Sequence, residues 1–287
     1  MEPFFSIIVV SFNPGQKLRE TLVSIKNQTF SDYEVVIKDG GSTDGSLAYV
    51  EEVFGGAIRT EKDAQGKVKL INQSDRGIYD AMNQAVVQAT GRYVYFLNCG
   101  DWFYSDQALE GMADFIRTCK EKDGAGPGIY YGNIYERLTR QKVVSNPRID
   151  AFGCYRNVPC HQACFYSREL LLSHPFQTKY LVRADYEQFL WCFFAGDTEQ
   201  KVVFAYHDLL IADYEGGGFS ETKENKRVSA QEHRVITKIY MSRRQICCFR
   251  LVMLLSLAPF RTWIARNERT AGMYNRIKGI LYGRKKR

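Results

Sequence analysis

Histidine is scarce in this chain, with four in 287 residues, and tryptophan and proline are nearly as rare at three and seven. The eight cysteines (99, 119, 154, 160, 164, 192, 247 and 248) make no C-x-x-C pair and no regular framework. A structural zinc site needs several Cys or His ligands at finger-like spacing. Cys160 and Cys164 flank His161 without the further ligands such a site requires. A disulfide scaffold is excluded on the same grounds, and free thiols in a reducing cytosol are the plain reading. No apolar run reaches the roughly 20 residues of a membrane-spanning helix. The nearest approach, Ile246 to Phe260, carries Arg250 inside it and Pro259 near its end. Met1-Glu2-Pro3 leads straight into a strand-like run without a basic n-region, so no cleaved leader is expected. Internal repeats and low-complexity linkers are lacking too.

Apolar residues make up 45% of the chain and aromatics 14%, enough for one large core or for a domain with an appendage. Charge is unevenly spread. From Arg234 to Arg287 there are fourteen Lys or Arg against one acid, Glu268, a net of +13 within a chain whose total is +7. The residues before this segment are therefore acidic on balance, and the basic tail needs its own explanation.

Phe4 to Phe12 is a continuous apolar run, the pattern of a strand buried on both faces. Asn13-Pro14-Gly15 breaks it, and Leu18, Leu22 and Ile25 follow at helical spacing. Further strands are expected at Tyr33 to Lys38, Val68 to Asn72 and Arg92 to Leu97. Helices are expected at Ser46 to Phe54, through Ile78, Met82, Ala85, Val86 and Ala89, and through Leu109, Met112, Ala113 and Ile116. Strand and helix alternating four times argue a parallel, doubly wound sheet. After residue 125 the pattern turns to shorter, mixed strands (Ile129 to Leu138, Lys142 to Ser145), a helix over Asp185 to Phe194, a strand over Val202 to Tyr214 and a Gly216-Gly217-Gly218 loop.

Open α/β sheets bind ligands outside the carboxyl ends of their strands. Acids fall at three such ends: Asp39, in Lys38-Asp39-Gly40-Gly41-Ser42-Thr43-Asp44, then Asp75 beside Arg76, then Asp101 in Leu97-Asn98-Cys99-Gly100-Asp101. Like charges gathered at one edge need a cation or hydrogen-bond donors to balance them. A lone carboxylate at Asp101 suits Mg²⁺ or Mn²⁺, which take one or two protein carboxylates and fill the remaining positions with water and phosphate. Asp44 reads as a capping residue.

These motifs, in this order, resemble the inverting family 2 glycosyltransferases of the GT-A fold, over roughly residues 4 to 220. The wording D-R-G-I-Y-D-A-M-N and F-L-N-C-G-D is most similar to the bacterial branch that builds exopolysaccharide, capsule, O-antigen or colanic acid. The resemblance implies a Rossmann-like, mostly parallel α/β sheet flanked by helices. It also implies that Ser11, Phe12, Asp39, Asp75, Arg76 and Asn98 face a nucleotide sugar, with uracil as the usual base, and that Asn83 supports the Asp75 loop. Asp101 matches the last acid of the family's D-x-D metal motif, but Asn98 and Gly100 stand where acids are often found. The family's catalytic base maps to Asp185, with Glu187 in reserve. His161 and Gln162 fall near the sugar or acceptor, and Gly217 and Gly218 in a lid.

The expected organisation is a glycosyltransferase domain over 1–222, with a nucleotide-sugar half (1–125) and an acceptor half (126–222), followed by a basic helical tail over 223–287. Basic residues flanking Ile246 to Phe260 suggest an interfacial helix pair on an anionic leaflet. A core or dimer helix and a nucleic-acid patch are the competing readings, the last lacking any recognisable module. The expected activity is transfer of a sugar from a UDP-type donor to a lipid-linked or glycan acceptor, by a cytoplasmic protein held on the inner membrane face. A nucleotidyltransferase would share the sheet and the metal aspartate, yet Ser11-Phe12-Asn13-Pro14-Gly15 lacks its Gly-rich basic loop. A non-catalytic nucleotide-sugar binder would lack the metal acid or the base.

Overall fold

The computed structural model of the protein describes residues 2–57, 67–123, 126–194, 201–217 and 222–255. Its first half follows the alternation in the sequence: β1 (Phe5–Ser11), α1 (Gln16–Lys26), β2 (Tyr33–Asp39), α2 (Ala48–Phe54), β3 (Val68–Asn72), α3 (Ile78–Gln88), β4 (Tyr93–Phe96), β5 (Trp102–Phe103) and α4 (Ala108–Asp123). Then come β6 (Gly128–Glu136), β7 (Gln141–Val143), α5 (Ala151–Arg156), β8 (Cys164–Ser167), α6 (Arg168–Ser173), α7 (Ala184–Phe194), β9 (Val203–Tyr214), α8 (Lys223–Tyr240) and α9 (Arg243–Leu255).

One nine-stranded sheet runs β3-β2-β1-β4-β8-β6-β9-β5, with β7 beside β6. The β3-β2-β1-β4 half is all parallel. Beyond it β8 lies antiparallel to both β4 and β6, while β9 runs parallel to β6 and β5 antiparallel to β9. The sheet is therefore parallel over the first four strands, and mixed where β5 through β9 join. All seven residues of β1 are buried, which is why its sequence reads as an unbroken apolar run. Helix α1 turns Leu18, Leu22 and Ile25 inward, and α3 turns Ala81, Met82, Ala85 and Val86.

Tyr95 joins the two halves. Its ring stacks on Phe165 of β8 at 4.4 Å and on Phe103 of β5 at 5.2 Å. Each such aromatic pair contributes about 1 kcal/mol beyond the area it buries. Gly91 sets the approach of β4 to β1, because a Cβ there would lie 2.7 Å from the Phe5 carbonyl carbon and the Ser6 nitrogen. Buried Glu34 secures the same corner by accepting from the Ser6 hydroxyl and the Thr90 and Gly91 amides.

The chain divides into two compact units, Met1–Ile236 and Thr237–Arg287. In the second, α9 exposes Leu251, Val252, Leu254 and Leu255 along with Arg243, Arg244 and Arg250. The rest of the expected helix pair, from residue 256 and including Pro259, lies outside the described residues. Among the described residues no helix is long and apolar enough to cross a membrane.

Candidate active site

Strand register puts Ser11 of β1 beside Asp39 of β2, and Asp39 beside Asn72 of β3. The Asp39 side chain is wholly buried. Its Oδ2 accepts from the Ser11 and Ser42 hydroxyls at 2.8 and 2.6 Å, and its Oδ1 from the Gly41 and Ser42 amides at 2.9 and 2.6 Å. Burial pushes this carboxyl up, and the four donors more than offset it, holding it below the ordinary range. With its lone-pair positions filled, Asp39 organises the loop, and a nucleotide base reaches it only by displacing a serine hydroxyl.

The loop is stitched to its neighbour as well. Asn13 donates its amide to Ser42 Oγ and accepts from the Thr43 amide. Asp44 accepts from the Gly15 amide and from the amide and hydroxyl of Ser46. It is an Asx turn and cross-loop staple rather than a helix cap, since α2 begins at Ala48 with no side-chain cap.

Phe12 stands out into solvent, 68% exposed. A Cβ at Gly40 would meet the Phe12 ring at 3.2 Å and Asp75 Oδ2 at 2.8 Å, so ring and carboxylate converge over the bare glycine. Asp75 is held from below by Lys38, which is fully buried and donates to Asp75 Oδ2 at 2.9 Å and to the Gln73 and Asp39 carbonyls. Asp75 Oδ1 in turn accepts from the Gly77 amide, at the turn into α3. Arg76 lies exposed alongside. Asn83 corrects its expectation: it does not brace the Asp75 loop but exchanges two hydrogen bonds with the Phe176 backbone, at 2.8 and 2.9 Å. One helical turn past Tyr79, its side chain points toward the second half of the sheet.

Asp101 lies next along the edge, 4% exposed. Its Oδ1 accepts from the Glu215 amide at 2.7 Å and its Oδ2 from Gln162 Nε2 at 2.5 Å. Its carboxyl is raised to about 7: burial is the largest cause, the Glu215 amide and Arg137 oppose it, and the Glu215 and Asp213 carboxylates add to it. Arg137 comes within 4.0 Å of Asp101, pairs with Asp213 at 2.9 Å, donates to the Gly100 carbonyl and stacks on Trp102 at 3.5 Å. Lys17 pairs with Glu215 at 2.6 Å.

Donors suited to a divalent cation are few at this edge. Among the described residues no three His, Cys, Asp or Glu side chains are grouped to hold a metal. Asn98, whose backbone carbonyl accepts from the Asp101 amide at 3.0 Å, keeps its hard Oδ1 buried and without a hydrogen-bond partner among the described residues. That donor set fits Mg²⁺ or Mn²⁺, which leave most of their positions to water and phosphate. Gln162, His161 and Tyr95 back it: the Tyr95 hydroxyl donates to the Gln162 carbonyl, and the His161 ring packs on Phe96 with Nε2 buried and, among the described residues, unpartnered. Burial holds the His161 imidazole below its ordinary value, opposed by the Asp185 charge.

Asp185 stands in the first turn of α7, half-buried, its Oδ1 2.9 Å from the Tyr79 hydroxyl. Glu187, roughly 200° further round the helix, is buried and paired with His174 at 3.0 Å, under the Trp191 ring. The reserve base is thus committed to the core, and Asp185 alone is presented. Gly216 and Gly217 have positive φ, 76° and 67°, and Gly217 is exposed; Gly218 lies outside the described residues.

Residues 6–174 match the family model for Glycosyl transferase family 2. The chain belongs to glycosyltransferase family 2. It is 34% identical over 227 residues to the PGL/p-HBAD biosynthesis glycosyltransferase of Mycobacterium tuberculosis, covering 78% of this chain and 82% of that one. Among solved structures it resembles Staphylococcus aureus TarS 1–349 in complex with UDP-GlcNAc, at TM-score 0.58, 18% identity and 81% coverage of this chain against 65% of that one. It spans 36% of the longer TarS chain. The mannosyltransferase PcManGT from Pyrobaculum calidifontis, in complex with GDP-Man and Mn²⁺, matches at TM-score 0.52 and 16% identity, covering 92% of this chain and 83% of that one. These structures share the GT-A fold, and family membership sets the nucleotidyltransferase reading aside.

Several residues at this glycosyltransferase edge were not foreseen: Lys38, Tyr79, Arg137, Asp213, Glu215 and Glu232. Lys38 left a trace, a lysine directly after the apolar run Val35-Val36-Ile37 that must be paired to be buried. Arg137 and Glu215 left none, since their partners are far away in sequence.

Proposed function

We propose that this glycosyltransferase transfers a hexose-type sugar from a UDP-sugar to a lipid-linked or glycan acceptor with inversion at the anomeric carbon. The observation that carries this reading is the convergence of Phe12, Gly40, Asp75 and Asp101 on one edge of the parallel half-sheet. Phe12 would stack on the base, with Asp75 and Arg76 beside the nucleotide and Asn98 and Asp101 at the diphosphate. Asp101 and Asn98 would hold Mg²⁺ or Mn²⁺, whose charge offsets the negative charge gathering on the departing diphosphate. Asp185 would take the proton of the acceptor hydroxyl as its oxygen bonds to the anomeric carbon and the bond to the diphosphate oxygen breaks on the opposite face. His161 and Gln162 would border the sugar, with Gly217 and Gly218 in a covering loop. The TarS complexes with UDP and UDP-GlcNAc support a uridine donor, and the relatives named for PGL/p-HBAD biosynthesis support a glycoconjugate product.

A panel of UDP- and GDP-sugars, read by release of nucleoside diphosphate with and without Mn²⁺, tests the donor. A UDP-sugar is expected to turn over. Turnover of GDP-sugars alone would overturn the uridine assignment, and no turnover of either would overturn the activity.

The exposed leucines and arginines of α9, with the basic residues after it, support a place on the inner face of the cytoplasmic membrane. The full chain is expected to sediment with phosphatidylglycerol vesicles and to lose that binding when residues 244–287 are removed. A truncated chain that still sediments would place the attachment elsewhere.

A further inference from the structure

Two groups outside α7 act here, one on the Asp185 side chain and one on the backbone leading into the helix that carries it. From one side comes Tyr79, in the first turn of α3, two residues past the Gly77 amide that Asp75 caps. Its hydroxyl proton is shared between Asp185 Oδ1, at 2.9 Å, and the Val182 carbonyl, at 2.8 Å. Burial and then the Asp185 charge push the phenol well above its ordinary range, so it remains a donor. With Oδ1 engaged, Asp185 Oδ2 takes no hydrogen bond among the described residues, leaving one oxygen for a substrate hydroxyl.

From the other side comes Glu232 of α8. Its carboxylate accepts from three consecutive backbone amides, Leu181 at 2.6 Å, Val182 at 3.1 Å and Arg183 at 2.9 Å. These are the residues leading into α7, where amides point outward without intrahelical partners and favour a negative charge. Arg183 extends the contact by donating to the carbonyl and hydroxyl of Ser229, one turn before Glu232. His233, the next residue, donates to the Tyr155 carbonyl at 2.8 Å and stacks on Tyr186 at 5.4 Å. Few arrangements fix a short backbone segment more tightly than a carboxylate bound to three successive amides.

We infer that Tyr79 and Glu232 are positioning residues for the base: Tyr79 holds the Asp185 carboxylate from the donor side, and Glu232 fixes the backbone that carries it. The inference rests on Asp185 acting as the base. It accounts for the tyrosine in D-R-G-I-Y-D, which joins the nucleotide loop to the acceptor half. It also gives α8 a part in the chemistry without any contact to substrate.

The test uses the full chain and the UDP-sugar that the donor panel turns over, with Tyr79→Phe, Glu232→Gln, their combination and Asp185→Asn assayed well below their unfolding midpoints. Each single variant is expected to lose roughly tenfold or more in kcat, the scale set by small misplacements of reacting groups. Donor KM and UDP affinity should stay at wild-type values, because the nucleotide loop keeps Lys38 and Asp75. The combined variant is expected to lose less than the product of the single losses, since both residues act on one carboxylate. If Asp185→Asn is inactive while Tyr79→Phe and Glu232→Gln turn over at the wild-type rate, the positioning role is refuted and the base stands. Residual full activity in Asp185→Asn refutes the base itself. Loss of kcat with an equal loss of UDP affinity would mean general damage to the fold and would also refute the inference.

Discussion

Asp185→Asn is expected to cut sugar transfer by about a thousandfold while UDP binds as before, a loss within the usual range for removing a general base. The substitution is close to isosteric. Asparagine keeps a carbonyl oxygen for the Tyr79 hydroxyl and a side chain suited to the first turn of a helix. What it cannot do is take a proton. Asp39, Lys38 and Asp75 hold the nucleotide loop through bonds that do not involve α7, so donor affinity has no reason to change. Calorimetric UDP titration and single-turnover transfer on the same preparation separate the two effects. A transfer rate near that of the wild type would move the base to another residue, and Glu187, locked to His174, is a poor replacement.

Asp101→Asn is expected to act in two opposite directions. It should abolish the Mn²⁺-dependent part of UDP binding, because the only carboxylate of the proposed site is lost. It should also raise thermal stability near and above neutral pH. The folded chain holds the Asp101 carboxyl at about 7 against an ordinary 3.8. Between those values the folded state binds one more proton than the unfolded state, so this group's stabilising contribution is complete below about pH 4 and is lost as pH rises through 7. The slope in that window is roughly 1.4 kcal/mol per pH unit at most. Asparagine mimics the protonated carboxyl, and the amide of Gln162, whose Oε1 is buried and unpartnered among the described residues, can turn to accept from it. The gain in melting temperature should therefore grow from pH 5 to about 7 and then level off. A pH-independent difference between variant and wild type would show that burial does not raise Asp101. Undiminished Mn²⁺ dependence in the variant would remove Asp101 from the metal site.

The parallel half of the fold was legible because both faces of β1 and β2 are covered, so β1 reads as an apolar run and β2 keeps an apolar centre, Val35-Val36-Ile37, each ending at a visible break. Val68–Asn72, partly exposed along most of its length, was also placed to the residue. The second half was harder to read. β5 has two residues and β8 four, too short to show a period; they pair with strands far away in sequence and pack Phe103 and Phe165 on either side of Tyr95. The two-residue spacing of Asp185 and Glu187 put them on different sides of one helix, but only packing showed that Glu187 faces His174.

The order of motifs along the chain determined the family, the α/β alternation and the strand ends at which acids gather. Those features are local, since buried strands, breakers and helical spacing act over a few residues. Only the tertiary structure decided what each acid does. Asp39 is filled by its own loop, Asp75 is held by a buried lysine, Asp101 is enclosed beside Arg137, and Asp185 is fixed by Tyr79 and Glu232. A carboxylate's behaviour depends on burial and on the donors around it, and those donors come from residues up to 114 positions away, as the Glu215 amide on Asp101 does.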